Sequence, residues 1–154
     1  MRRKDKEISD KNIIDEIIRN SNICRIAMID NGLPYLLPLN YGYFDGNLYF
    51  HSALSGRKID ILKQNNYVCF EIEGHTEIIT GEKACDWTTK YRSVVGYGHI
   101  EFETDIEDKR KGLDIIMKAH GKLDENIYSE SSLKPMLILK LKIESVSGKQ
   151  SGDW

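Results

Sequence analysis

Leu137, Leu139, Leu141 and Ile143 fall on one side of residues 137–144, with Ile138, Lys140, Lys142 and Glu144 on the other. A period of two over that length predicts a strand with one face in a core. The same alternation recurs upstream. Residues 67–73 set Val68, Phe70 and Ile72 against Cys69, Glu71 and Glu73, and residues 47–53 set Leu48, Phe50 and Ser52 against Tyr49, His51 and Ala53. His51 and Ser52 therefore diverge at the end of a strand. Residues 23–29 read as a further strand, followed by an Asp30-Asn31-Gly32 turn. Residues 33–44 read as a long one interrupted by Pro34 and Pro38, which places it at an edge or a bulge. In residues 91–103, Val94, Ile100 and Phe102 share a face, and Gly96 and Gly98 permit bending or close backbone approach.

Two segments carry the helical period instead. Ile13, Ile14, Ile17 and Ile18 form one stripe behind a Ser9-Asp10 cap. Asp105 and Asp108 open a second helix, with Ile106, Leu113, Ile116, Met117 and His120 facing inward and Gly121 stopping it. Ile59, Ile61 and Leu62 mark a short third helix. Residues 74–90 are expected to be an irregular connection, and residues 123–134 a loop. Many strands, two principal helices and no βαβ alternation predict a mainly β fold, an antiparallel β-barrel with flanking helices; closure also protects the strand edges. The expected layout is a single domain over residues 1–154: an N-terminal helical segment 1–22, a barrel core 23–148 and a tail 149–154.

Composition narrows the chemistry. Twenty-two basic and 24 acidic residues give a net charge of −2, without the electrostatic footprint of a nucleic-acid binder. Cys24, Cys69 and Cys85 are odd in number and widely spaced, which suits a reducing compartment, and a cytoplasmic location is expected. The charged start lacks the apolar core of a secretory signal, and no stretch approaches the length of a membrane helix. Cys69, His75, Cys85 and Asp86 are competent zinc ligands, but they lack paired spacing and Cys69 alternates within a strand, so no metal is expected. Neither a Gly-x-Gly-x-x-Gly turn nor a Gly-x-Ser-x-Gly elbow occurs.

The most informative stretch is residues 38–58. Two aromatic-rich strands meet at Asp45-Gly46, whose backbone suits a tight hairpin. The second strand then leads through Ser52, Ser55 and Gly56 to Arg57 and Lys58 at the start of a helix, where free N–H groups favour an anion. Charge-assisted donors suit a phosphate and an aromatic strand suits a flat ring, so FMN is the expected cofactor. Taken alone, Arg57 and Lys58 would be an ordinary solvated helix start, and Tyr43 and Tyr49 are assigned to core or interface. Trp87 and Trp154 could cover a cleft or an interface, and a disordered end is an equal expectation for Trp154.

Pro38-Leu39-Asn40-Tyr41, Tyr49-Phe50-His51-Ser52-Ala53, Gly56-Arg57-Lys58, Val68-Cys69-Phe70-Glu71 and Tyr91-Arg92-Ser93-Val94 with Gly96-Tyr97-Gly98 stand in an order that resembles one family. It is that of the nitroimidazole-resistance flavoproteins within the pyridoxamine 5'-phosphate oxidase-like, FMN-binding split barrels. The resemblance implies a six-stranded antiparallel split β-barrel that forms a homodimer with FMN in clefts at the subunit interface. It implies that Leu39, Asn40 and Tyr41 line the isoalloxazine largely through backbone, that His51, Ser52, Arg57 and Lys58 surround the ribityl phosphate, and that Tyr91, Ser93 and Val94 complete the cleft. His51 would stand beside the flavin, as a catalytic proton donor or only as a hydrogen-bond partner of the phosphate or a carbonyl. The implied activity is an FMN-dependent oxidoreductase passing electrons from NAD(P)H or another donor to a small organic acceptor, with nitroaromatics as one version. The alternatives are a flavin-binding or storage module without turnover, or a split barrel binding haem or a deazaflavin, in which His51 or His99 would take a ligand or proton role. No second basic loop matches Ser55-Gly56-Arg57-Lys58, which speaks against oxidation of a phosphorylated substrate such as pyridoxamine phosphate.

Overall fold

Residues 33–44 form one extended stave that changes partners in its middle. In the computed structural model, which describes residues 3–154, the first part is β3 (Leu33–Asn40), paired antiparallel with β2 (Ile23–Asp30). The second part is β4 (Gly42–Phe44), paired with β5 (Asn47–Ala53). Between β2 and β5 the sheet runs on through β6 (Tyr67–Ile79), β7 (Thr88–Glu103) and β8 (Met136–Ser151), every neighbour antiparallel. The two ends of the strand path are thus covalently continuous, and the sheet closes into a barrel.

The closure is staggered. A rung runs from Tyr43 through Leu48, Leu141 and Ile100 to Asn66, and continuing the β6–β2 register beyond Cys69 and Ala27 would set Asn66 opposite Asp30, whose partner Leu33 lies on the same stave. Such a shift requires strands tilted to the barrel axis. Counted as separate elements the strands are eight, against an expected six. Tyr41 breaks one stave into β3 and β4, and a two-residue β1 (Glu7–Ile8) adds itself to β8 at Gly148 and Lys149.

The interior holds Leu48, Phe50, Phe70, Ile72, Leu139 and Leu141, all essentially without solvent contact. These are the inward positions of the alternating stretches. The expected approach at Gly96 exists: a Cβ there would collide with the Phe70 ring, and the ladder slips by a residue between Tyr97 and Gly98. Helix α1 (Lys11–Asn20) closes one end, capped by Asp10 and burying Ile14, Ile17 and Ile18. Asp45 and Gly46 take the positive φ angles of 49° and 71° that the hairpin requires.

Helix α3 (Ile106–Ala119) lies across the outside of β4, β5 and β8. Its close seat depends on Gly42, where any Cβ would strike the Ile115 backbone, and on Gly112, which admits Ile138. The buried stripe is therefore Lys109, Gly112 and Ile116. His120 points to solvent, contrary to its expected inward position, because the helix has already ended at Ala119.

Residues 74–90 also depart from expectation. They are mainly a hairpin, since β6 continues to Ile79 and β7 begins at Thr88. This extension projects beyond the closed barrel, so it has no buried face to impose alternation on its sequence. Residues 123–134 contain the short helix α4 (Glu130–Leu133), held by Lys109 Nζ on the Leu133 carbonyl and Arg110 on the Tyr128 carbonyl. The C-terminal end is packed as well: Trp154 lies over the Arg92 guanidinium at 4.2 Å and the Lys90 ammonium at 4.4 Å.

Candidate functional site

The ladder between β4 and β5 ends at Gly42 opposite Tyr49. Beyond that rung the stave leaves β5 for β2, and continuing the register would set Asn40 opposite His51 and Leu39 opposite Ser52. The Pro38-Leu39-Asn40-Tyr41 and His51-Ser52 segments therefore form the two lips of one split in the barrel wall. His51 and Asn40 are exposed, while Ser52 turns inward and is 7% exposed. Tyr41 seals the base of the split from inside. Its ring is buried against Phe50 and its hydroxyl donates to the Ile18 carbonyl of α1 at 2.5 Å.

From Ala53 the chain turns at Gly56, with φ of +123°, into α2 (Arg57–Gln64). That angle is costly for any residue with a Cβ. No side chain caps the helix, so its first backbone donors remain available. Lys58, in the first turn, is half-buried, and its pKa is lowered by burial alone, with no carboxylate among the described residues to offset it. A desolvated cation beside an uncapped helix N-terminus is chemically poised for an anion.

Arg57 is engaged differently. Its Nε donates to Asp30 Oδ2 at 2.9 Å and its guanidinium lies 4.4 Å from the centre of the Tyr35 ring. Asp30 and Tyr35 were not among the expected site residues. Asp30 is separated from Arg57 by 27 positions, and only the β2–β3 hairpin brings it there, so no local spacing could have marked it.

Tyr91, Ser93 and Val94 are not gathered with the others in one chain. Ser93 sits across β6 and β2 from Asn40, three strands around the wall. The Val94 side chain is fully buried and its strand is paired on both sides, leaving only Tyr91 and Ser93 with outward surface. The sulfur of Cys24 is buried, which pushes its thiol pKa up; Cys85 is exposed. Among the described residues no cluster of three or more His, Cys, Asp or Glu is arranged to hold a metal, and no helix is long and apolar enough to cross a membrane.

These residues fit the tail of a flavin mononucleotide. Lys58, the Arg57 edge, Ser52 and the uncapped α2 start supply donors, and Pro38 and Leu39 on one lip of the split add apolar surface for a ring.

The sequence profile of the pyridoxamine 5'-phosphate oxidase family matches residues 10–150. Among solved structures, a protein described as a 5-nitroimidazole antibiotic resistance protein of Bacteroides thetaiotaomicron shares 33% identity. It superposes with a TM-score of 0.85 over 94% of this chain and 86% of its own. A FAD- and haem-binding protein of Mycobacterium smegmatis superposes at 0.86 with 18% identity, over 97% and 75% of the two chains. A FAD-binding protein of Mesorhizobium loti superposes at 0.68 with 24% identity, over 93% and 96%. No curated protein matches the sequence.

Proposed function

The chain belongs to the pyridoxamine 5'-phosphate oxidase family, and from that premise we propose that it is an FMN-dependent oxidoreductase acting on a small organic acceptor. The single observation that carries the cofactor is Lys58: a half-buried ammonium with no carboxylate beside it, at an uncapped helix start that opens onto the split between β3 and β5. Retaining such a cation costs stability unless an anion completes it.

Bound FMN supplies the electron transfer through its ring. The chain positions it. Lys58, Arg57 and Ser52 hold the phosphate, Leu39, Asn40 and Tyr41 present backbone along the ring, and His51, exposed at the lip, offers an imidazole proton to the acceptor. NAD(P)H, with no dedicated dinucleotide fold in the chain, serves as a visiting donor. A nitroaromatic is the acceptor that the Bacteroides protein's description suggests. The family name does not extend to pyridoxamine phosphate, since no second basic loop accompanies Gly56-Arg57-Lys58.

A homodimer completes the site in this reading. The outward side of β3, β2, β6 and β7 carries Leu36, Ile29, Tyr67, Tyr97 and Val95, all exposed. Tyr67 and Tyr97 stack at 6.2 Å between ring centres. A continuous apolar face of this kind suits self-association. A second copy would bring its own Tyr91 and Ser93 to the cleft.

The test is the absorbance spectrum of freshly purified protein with mass identification of the released ligand. A flavin spectrum with an FMN mass is expected. Haem or deazaflavin absorbance, or colourless folded protein that does not take up FMN, would overturn the cofactor; FMN that is bound but never reoxidised faster by any nitroaromatic or quinone would leave a carrier.

A further inference from the structure

We propose that the cleft between α1, α3 and the β4–β5 hairpin is a second small-molecule site that takes a flat aromatic carboxylate. It encloses about 760 Å³, a size typical of ligand pockets, and of the residues assigned to the flavin only Tyr41, through its buried ring, lines it. The inference does not rest on the flavin reading.

Its apolar surface is aromatic and already fixed. Tyr41, Tyr43 and Tyr49 line it, with Phe44 exposed at its lip. The Tyr43 hydroxyl donates to Asp15 Oδ1 at 2.8 Å and the Tyr41 hydroxyl is tied to Ile18, so both rings are held without a ligand. The Tyr43 ring, preorganised in this way, loses little freedom when a planar ring stacks on it, while the buried Tyr41 ring forms the floor beneath.

The charges select the rest of the ligand. Each carboxylate on the wall already has a partner: Glu103 with Lys140 at 4.0 Å, Asp108 with Lys111 at 3.4 Å, and Asp114 with Asn126 and Tyr128. Arg19 and Lys118 also line the cleft, and among the described residues neither has an ion-pair partner. The Arg19 guanidinium is steadied instead over the Tyr43 ring at 5.0 Å. The lining carries one more cation than carboxylates, with Arg19 and Lys118 outside any ion pair, which favours a monoanion, and a planar guanidinium matches a carboxylate in bidentate fashion. Three carboxylates on the same walls disfavour a dianion such as phosphate, which leaves a monoanion on a ring.

Salicylate, which is fluorescent, is the probe. Titrated into the protein with and without saturating FMN, it is expected to bind saturably at one site per chain in both. Arg19→Ala should weaken binding about tenfold or more, Arg19→Lys less, and neutral salicylamide should bind poorly. Arg19 is on the surface, and the melting temperature of each variant checks that it folds. Absence of saturable binding at millimolar salicylate, or binding indifferent to both Arg19 variants, overturns the site. Binding seen only in flavin-free protein and lost with Lys58→Met would assign it to the flavin cleft and overturn it equally.

Discussion

Arg57 and Asp30 form an ion pair that fastens the first turn of α2 to the far end of the β2–β3 hairpin, Nε to Oδ2 at 2.9 Å. The pair is unequal in exposure: 61% for the Arg57 side chain against 21% for Asp30. In the proposed flavin site, Asp30 would compete with the FMN phosphate for the same guanidinium while Tyr35 supports its plane. Asp30→Asn should lower the FMN dissociation constant by about two- to fivefold, the scale of an exposed ion pair. Arg57→Ala should raise it about tenfold or more. Quenching of flavin fluorescence measures both, and equal losses in the two variants would make Asp30 a positioning residue instead.

Lys58 should show function bought against stability. Lys58→Met keeps the stem and removes the buried charge, so flavin-free protein should melt about 1–3 °C higher while FMN binding weakens about tenfold or more. Its pH dependence has a definite sign. Because the folded pKa is lowered, the unfolded chain binds more protons between the lowered value and the ordinary one near 10.5. Apo stability contributed by this group therefore rises with pH through that window, and Lys58→Met should lack the rise.

His51 lies on the exposed lip, outside the barrel core. His51→Gln should leave the fold and FMN occupancy unchanged and slow acceptor reduction about 10²-fold, the scale of one general acid. Stopped-flow reoxidation at matched occupancy measures it; unchanged rates would reduce His51 to a wall of the site.

Tyr43 gives the opposite sign to Lys58 at higher pH. Burial first, then its hydrogen bond to Asp15 Oδ1, pushes its pKa up to about 12. The unfolded chain loses the phenolic proton near 10, so the stability Tyr43 contributes is complete below pH 10 and is lost progressively up to pH 12. Denaturant melts of Tyr43→Phe should show a shallower decline over that window, together with a loss of about 1 kcal/mol at pH 8 from the missing hydrogen bond.

What was legible in the sequence followed burial. Strands 23–30 and 47–53 and helix 11–20 each press one face into the core, and their apolar periods marked them within a residue or so, while the period over 67–73 marked only the covered part of β6. The outer part of the β6–β7 hairpin left no such mark because nothing covers it. Helix α3 was visible and its Ile116 is buried as expected, but the rest of its buried stripe was not legible: a lysine aimed at the Leu133 carbonyl and a glycine admitting Ile138 carry the packing there, and neither is an apolar period. At the candidate site, Ser52, Gly56 and Lys58 lie close in sequence, so a local motif was enough to single them out as candidates. The Asp30 and Tyr35 contacts of Arg57 depend on a hairpin folding back, and the aromatic cleft beside α3 depends on elements separated by most of the chain.

The outer sheet face offers the most direct test of the proposed dimer. Leu36, Ala27, Cys69 and Tyr97 lie on one rung, each directly paired with the next. They lie on the outward side of strands whose inward residues make the core, so changing them leaves the interior intact. Tyr97→Asp places a carboxylate in the middle of that face, next to the Tyr67 ring, where a second copy would have to desolvate it. Sedimentation velocity should show a monomer while far-UV circular dichroism stays native. If each cleft also draws on the other copy, bound FMN should fall in parallel with the dimer fraction as protein is diluted. A Tyr97→Asp protein that remains dimeric with full flavin would place the interface elsewhere, whereas a flavin-loaded monomer would show that one chain's split and α2 start suffice.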